Sequence, residues 1–199
     1  STTRLGVRLR HLVERRTAAA ALAAMTALRF CYGALTVTVL MLCRYAWSDS
    51  ESGGLALLGI AVGVSGAGFF TAAVITPSAV GRYTPLVWMA CCAGLSAVLT
   101  PALGLSFAYV PLLIAAFVLG LSTQAAKIST DTVVQSSVDD AFRGRVFAVY
   151  DMLFNVAYVG AAAVAALMLP PDGRSSVLVV TVALLYATTA VSLTRFVRR

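Results

Sequence analysis

Residues 54–76 read GLALLGIAVGVSGAGFFTAAVIT, a run of 23 residues that contains no ionisable side chain. An α-helix needs about 20 predominantly apolar residues to cross the roughly 30 Å hydrocarbon core of a bilayer. The run has this length, and the nearest charged residues, Glu51 and Arg82, lie beyond its two ends. We therefore predict that it forms a transmembrane helix.

Five further apolar runs, bounded by charged residues, glycine or proline, accompany this one along the chain. Of the 199 residues, 60% are hydrophobic and 12% are charged, whereas soluble domains have about 25% charged residues. The sequence thus predicts an all-α polytopic membrane protein, in which a basic segment (residues 1–16) precedes a bundle of six transmembrane helices (residues 17–199). The predicted spans are residues 17–44, 54–76, 85–100, 109–135, 145–169 and 176–196.

The arginines outside the spans or near their ends lie mainly on one side of the predicted bundle. Short connections make neighbouring helices antiparallel, so the connections alternate between the two membrane surfaces. Cytosolic loops are rich in Lys and Arg, so we expect both termini in the cytosol, with the bundle in the plasma membrane and surrounded by lipid. Because the net charge of +7 is spread over helix ends, it does not indicate a nucleic-acid partner. The opposite surface carries Arg44 and Arg174, and the predicted cytosolic surface carries Arg4, Arg8, Arg10, Arg15, Arg16, Arg82, Arg143, Arg145, Arg195, Arg198 and Arg199.

Four charged side chains lie within the predicted spans and are not assigned to either membrane surface, and each costs about 2.5–3.5 kcal/mol at the middle of a membrane helix. We therefore expect them to face a protein interior or a water-filled cavity. Lys127 and Asp131 are four residues apart and can pair on one helix face, while Arg29 and Asp151 lie on separate helices at compatible depth. Gln124 and Asn155 add polar groups at neighbouring heights. The candidate pathway residues are therefore Arg29, Gln124, Lys127, Asp131, Asp151 and Asn155.

Two interpretations of these residues remain open at this point. In the first, they form a substrate or proton pathway in which Asp131 or Asp151 changes protonation. In the second, they form a permanent ion network that fixes the orientation of the helices.

Small residues in two of the spans are expected to support helix packing. Gly59, Gly63 and Gly66 in the second span, and residues 161–166 in the fifth, allow helix backbones to approach closely.

The sequence does not predict an enzyme. Its one histidine, His11, precedes the spans, and its four cysteines lie in apolar runs without metal-ligand spacing. Residues 63–66 lack the lysine of a phosphate-binding loop. Ser129 and Lys127 are two residues apart, which places their side chains on different helix faces. We therefore predict no catalytic residue, no metal and no cofactor.

Residues 131–151, DTVVQSSVDDAFRGRVFAVYD, resemble the loop between the tenth and eleventh helices of major facilitator superfamily transporters. In that loop a pattern of the type Q-x-x-V-x-(D/E)-x-x-R-G-R-V precedes a helix. Negative charge at Asp139 and Asp140 suits the N-terminus of a helix, while Arg143 and Arg145, flanking Gly144, can bind acidic partners or lipid phosphates. The residues that match the pattern are Gln135, Val138, Asp140, Arg143, Gly144, Arg145 and Val146.

The resemblance implies that the six spans correspond to helices seven to twelve, the C-terminal half of a transporter, and that residues 1–16 end its central loop. Of the superfamily's second glycine–aspartate–arginine motif, expected around Pro77, only Gly68, Gly81 and Arg82 remain, without an acidic residue. The central part most resembles actinobacterial efflux-type members. The first and fourth spans are then implied to face a central substrate cavity.

The function predicted from the resemblance is proton-coupled export of a small molecule, such as a drug or metabolite. Its partner would be an N-terminal six-helix half of the same transporter, or a second copy of this chain. The alternatives are a non-transporting membrane scaffold or receptor, and a six-helix carrier that works as a homodimer.

Overall fold

The computed structural model describes the backbone of residues 2–137 and 140–198, and the side chains of residues 15–137 and 144–198. This part of the chain contains six α-helices and no strand, and each helix has a segment long and apolar enough to span a membrane. The predicted all-α, six-span architecture is therefore confirmed. The helices are α1 (Thr2–Tyr45), α2 (Glu51–Arg82), α3 (Pro85–Gly104), α4 (Tyr109–Ser137), α5 (Asp140–Met168) and α6 (Ser176–Val197).

Two predicted helix ends are wrong because prolines do not end these helices. Pro77 lies inside α2, which continues to Arg82, and Pro101 lies inside α3, which continues to Gly104. Membrane helices tolerate proline because neighbouring groups satisfy the backbone that it frees. The actual boundary between α2 and α3 is at Thr84, whose side chain accepts a hydrogen bond from the Val87 amide at 3.4 Å. The predicted connection at residues 77–84 is thus reduced to residues 83–84.

Two segments that were predicted to lie outside the transmembrane helices are largely helical in the structure. Helix α1 begins at Thr2 and so runs through the basic segment 1–16. The connection predicted at residues 136–144 is also shorter, because α4 continues to Ser137 and α5 begins at Asp140. Gly144 therefore lies within α5 rather than in a loop, whereas Asp139 is outside the described residues.

Aromatic side chains join the helices at the end of the bundle where α1 ends. Trp47 Nε1 donates to the Phe107 carbonyl at 2.9 Å, and the Tyr109 hydroxyl donates to the Leu57 carbonyl at 3.1 Å. The rings of Trp47 and Tyr109 also meet edge to face, with 5.1 Å between centres. These contacts place the α1–α2 and α3–α4 connections at the same end, as expected for antiparallel neighbours.

Close helix packing depends on glycines other than those that the sequence suggested. A Cβ atom at Gly68 of α2 would overlap the Phe117 carbonyl of α4, and one at Gly120 of α4 would overlap the Ser65 carbonyl of α2. The backbones of α2 and α4 therefore approach at small residues. In the fifth span, the prediction for residues 161–166 agrees with the full burial of Ala161 and Ala165.

The predicted role of Gly59, Gly63 and Gly66 is wrong within the described bundle. No other part of it lies within 4 Å of a Cβ atom built at any of the three. The buried face of α2 instead carries Ala61, Ser65, Gly68, Ala72 and Thr76. Small residues therefore line two faces of α2. Helix α4 packs on the face that carries Gly68, and the three glycines lie on the other face.

Helices α2 and α5 have the most open surfaces in the bundle. In the most apolar 18-residue stretch of each helix, 22% of the residues of α2 and 17% of those of α5 are buried, compared with 50% in α4. Large apolar side chains cover the open surfaces, among them Phe70 and Leu55 on α2 and Val156 and Val159 on α5. These two surfaces therefore suit lipid or another apolar partner.

Candidate functional site

Lys127 is the centre of a charge cluster between α4 and α5. Its Nζ atom lies 3.9 Å from Asp131 Oδ2, one turn along α4, and 4.0 Å from Asp151 Oδ1 on α5. Both distances exceed the roughly 3.2 Å upper range of a strong hydrogen bond, so these are loose ion pairs. The predicted pairing of Lys127 with Asp131 on one helix face is present, and Asp151 joins the same ammonium group.

The cluster holds one positive and two negative side chains, and so carries a net charge of −1 when all three are ionised. The side chain of Asp151 is 65% exposed, whereas that of Asp131 is 31% exposed. Asp131 Oδ1 is buried and has no hydrogen-bond partner among the described residues. An ionised carboxylate oxygen in this situation is costly, so the cluster is electrostatically unbalanced.

Tyr150 is a member of this cluster that the sequence analysis did not identify. Lys127 Nζ donates to its hydroxyl at 3.3 Å, and that hydroxyl donates to the Lys127 carbonyl at 3.5 Å. Tyr150 is 1% exposed and its ring packs edge to face on Phe147. The sequence pointed to Tyr150 only through its position next to Asp151 in the segment 131–151. Its contact with Lys127 of α4 depends on how the two helices pack.

Arg29 of α1 is held by aromatic rings rather than by a carboxylate. Its Cζ atom lies 4.2 Å from the ring centre of Phe154, 4.4 Å from that of Tyr158 and 5.4 Å from that of Tyr32. Its Nε atom is buried and has no hydrogen-bond partner among the described residues. The structure therefore places Asp151 beside Lys127 and leaves Arg29 in a separate, aromatic environment.

Phe154 lies between the two cations. Its ring centre is 4.2 Å from Arg29 Cζ and 5.5 Å from Lys127 Nζ. Tyr150, Phe154 and Tyr158 are spaced by four residues, so they form one aromatic stripe along α5. This stripe brings the cations of α1 and α4 to a single surface of α5.

The remaining predicted residues do not join these contacts. Gln124 is half-buried, and Asn155 is exposed and donates to the Asp151 carbonyl of its own helix at 2.8 Å. Gly144 and Arg145 are exposed near the start of α5. Asp140 and Arg143 lie in the same helix, but their side chains are outside the described part of the chain, as is Asp139.

An apolar cavity of about 60 Å³ lies between α1, α2, α3 and α4, next to the Arg29 site. Tyr32 lines it, and the Tyr32 hydroxyl lies 2.9 Å from Ser65 Oγ at one side. Thr100 lines another side, and its buried Oγ1 atom has no hydrogen-bond partner among the described residues. The other lining residues are Leu35, Thr36, Val39, Leu58, Ala61, Val62, Gly104, Leu112, Ala115, Ala116 and Leu119.

Comparison of the sequence with known proteins gives two curated relatives. Each is an uncharacterized MFS-type transporter, one from Mycobacterium bovis and one from Mycobacterium tuberculosis. The chain is 36% identical to each over 175 residues, which cover 85% of this chain and 38% of the relative. The chain thus spans well under half the length of the curated relatives that it matches. No protein-family model matches the chain. The chain has six helices long and apolar enough to span a membrane, and over most of its sequence it is similar to these transporters of the major facilitator superfamily type.

Proposed function

We propose that this chain is the C-terminal six-helix half of a secondary transporter that exports a small molecule in exchange for protons. The observation that carries the proposal is the position of Lys127 between Asp131 and Asp151, which joins α4 to α5 within the membrane-spanning region. Ionisable groups inside a membrane protein commonly mark substrate or proton pathways. The organism supplies the proton gradient across its plasma membrane, with both termini of this chain in the cytosol.

The charge of the cluster suits the uptake of a single proton. Protonation of Asp131 or Asp151 changes the net charge from −1 to zero, which lowers the cost of holding the cluster in a low-dielectric region. Protonation of Asp151 also removes an ion pair that links α4 to α5. A change in protonation is thereby coupled to the relative positions of two helices, which is what an alternating-access cycle requires.

The groups that face this proton site come from three helices. Lys127 and Asp131 belong to α4, Tyr150 and Asp151 belong to α5, and Arg29 of α1 contacts the same Phe154 ring as Lys127 does. The proposed proton site therefore involves α1, α4 and α5.

The missing half of the transporter is proposed to cover α2 and α5. Facilitator transporters consist of two six-helix halves, and their substrate binds between the halves near the middle of the bilayer. The open apolar surfaces of α2 and α5 are the ones available for such a partner. The remaining surface contacts lipid, and the exposed Arg145 near the start of α5 binds lipid phosphates. A second copy of this chain is the alternative partner.

The test uses the full-length protein with Lys127→Gln, and Arg174→Gln as the matched control at an exposed basic residue between α5 and α6. Cells that express wild type or variant are compared by mass spectrometry of the metabolites in the growth medium, with membrane protein amounts measured by immunoblot. Lys127→Gln is expected to abolish the wild-type export signal relative to the measured amount of membrane protein, whereas Arg174→Gln keeps it. Unchanged export by Lys127→Gln would refute the proposed role of the cluster.

A further inference from the structure

We infer that Arg29 binds the carboxylate of an amphiphilic organic anion, whose short aliphatic body occupies the cavity between α1, α2, α3 and α4. The inference rests on the proposed transport function and names the substrate class of that function. It depends on three features of the described residues: the environment of Arg29, the contacts of Lys127, and the position of the cavity.

The guanidinium group of Arg29 has aromatic support but no anionic partner. Phe154 and Tyr158 lie 4.2 Å and 4.4 Å from its Cζ atom, and no carboxylate of the described residues pairs with it. Rings that stack on a guanidinium leave its in-plane N–H groups free for a carboxylate, which they bind in a bidentate manner. The unpartnered, buried Nε atom is one such donor.

Lys127, the other cation of the site, is already engaged. Its ammonium group contacts Asp131, Asp151 and the Tyr150 hydroxyl. An incoming anion at Lys127 would add to a cluster that already has a net charge of −1. The same anion at Arg29 would neutralise an uncompensated cation, so electrostatics favour Arg29 as the anion site.

The cavity indicates what the rest of the ligand is like. Tyr32, whose ring centre lies 5.4 Å from Arg29 Cζ, also lines the cavity, and Leu35, Thr36 and Val39 continue the same side of α1 away from Arg29. A ligand with its carboxylate at Arg29 can therefore extend along α1 into an apolar space. The cavity of about 60 Å³ is lined mainly by apolar side chains, so it suits a short aliphatic chain.

The test measures the thermal unfolding midpoint of the purified full-length protein with three probes that share one alkyl chain: hexanoate, hexanol and hexylammonium. Acetate serves as the anion without an apolar body. Hexanoate is expected to raise the midpoint in a saturable manner, and hexanol and hexylammonium are not. Hexanoate binding should weaken at least about tenfold in Arg29→Gln, as expected for the loss of a charged hydrogen bond, and less in Arg29→Lys, which keeps the charge.

Filling the cavity provides a second, independent variant. Ala116 is half-buried and lines the cavity, so Ala116→Leu should weaken hexanoate binding several-fold and leave the response to acetate unchanged. The inference is overturned if hexylammonium stabilises as well as hexanoate does, or if Arg29→Gln binds hexanoate like wild type. It is also overturned if no carboxylate stabilises the wild type and Arg29→Gln lowers the midpoint, because Arg29 then pairs with an acid elsewhere in the full-length protein.

The outcome for the anion site is separate from the outcome for transport. If hexanoate does not bind but export still depends on Lys127, the anion inference fails alone. If hexanoate binding depends on Arg29 while export is indifferent to Lys127, the proton-coupled export proposal fails and the binding site stands.

Discussion

The ring of Phe154 lies against the guanidinium group of Arg29, with 4.2 Å between the ring centre and Cζ. The same ring is 5.5 Å from the ammonium nitrogen of Lys127. One aromatic side chain of α5 therefore contacts cations from α1 and α4, and it connects the proposed anion site to the proposed proton site.

The first prediction concerns this ring. In Phe154→Leu, Arg29 loses a cation–π contact worth about 0.5–2 kcal/mol, so the unfolding midpoint of the full-length protein is expected to fall. Phe154→Tyr keeps the ring and should stay near wild type. The loss of packing is separated from the loss of the cation contact by repeating Phe154→Leu in an Arg29→Gln background. The fall should be smaller there, and an equal fall in both backgrounds would assign to the ring a packing role alone.

The second prediction follows from the net charge of the Lys127 cluster. Asp151→Asn leaves one cation and one carboxylate, whereas Lys127→Gln leaves two carboxylates and no cation. Asp151→Asn should therefore unfold at or above the wild-type temperature, and Lys127→Gln should be less stable by up to about 3 kcal/mol, the scale for uncompensated charge. Differential scanning fluorimetry on the full-length protein measures both.

The same variant tests the proton step. Because an asparagine side chain mimics a protonated carboxyl group, export by Asp151→Asn should no longer respond to the pH of the medium. Asp172→Asn, at an exposed residue between α5 and α6, is the control and should keep the wild-type pH response. A wild-type pH response in the Asp151 variant would assign proton coupling to another group.

The sequence and the structure agree on features that depend on local spacing. The six spans follow from the length of the apolar runs, and the Lys127–Asp131 pair follows from a separation of four residues. The helix ends at Pro77 and Pro101 were missed because a membrane helix can continue through proline where packing satisfies the backbone. Such compensation is a tertiary effect that composition does not reveal.

The contacts of Arg29 were also beyond prediction from the sequence. Its partners Phe154 and Tyr158 are more than a hundred residues away, on α5, and apolar aromatics in a membrane helix give no sign of whether they face lipid or a cation. The glycines of α2 illustrate the same limit. Two small-residue stripes are present, and only the packing of α4 determines that Gly68, and not Gly63, is in the interface.

The third prediction concerns access of water to the cluster. Asp151 is 65% exposed at its side chain, whereas Ala161, further along α5, is fully buried. In full-length protein with the exposed Cys91 replaced by serine, Asp151→Cys should react with a membrane-impermeant methanethiosulfonate, and Ala161→Cys should not. Reaction at residue 151 alone supports a hydrated pathway. An inert thiol there would instead favour a membrane scaffold or receptor, in which the position faces lipid or protein.

The fourth prediction concerns the contact of α2 with α4, which supports α4 and therefore the position of Lys127. In Gly120→Ala the added methyl group meets the Ser65 carbonyl, and the helices must separate. Overpacking of this kind typically costs about 1–3 kcal/mol.

Gly81→Ala is the matched control, because nothing lies within 4 Å of a Cβ atom there. Alanine is also up to about 1 kcal/mol better than glycine inside a helix. The unfolding midpoint should therefore fall for Gly120→Ala and stay level or rise for Gly81→Ala. If both variants shift in the same direction by the same amount, helix propensity explains the result and the close α2–α4 contact does not govern stability.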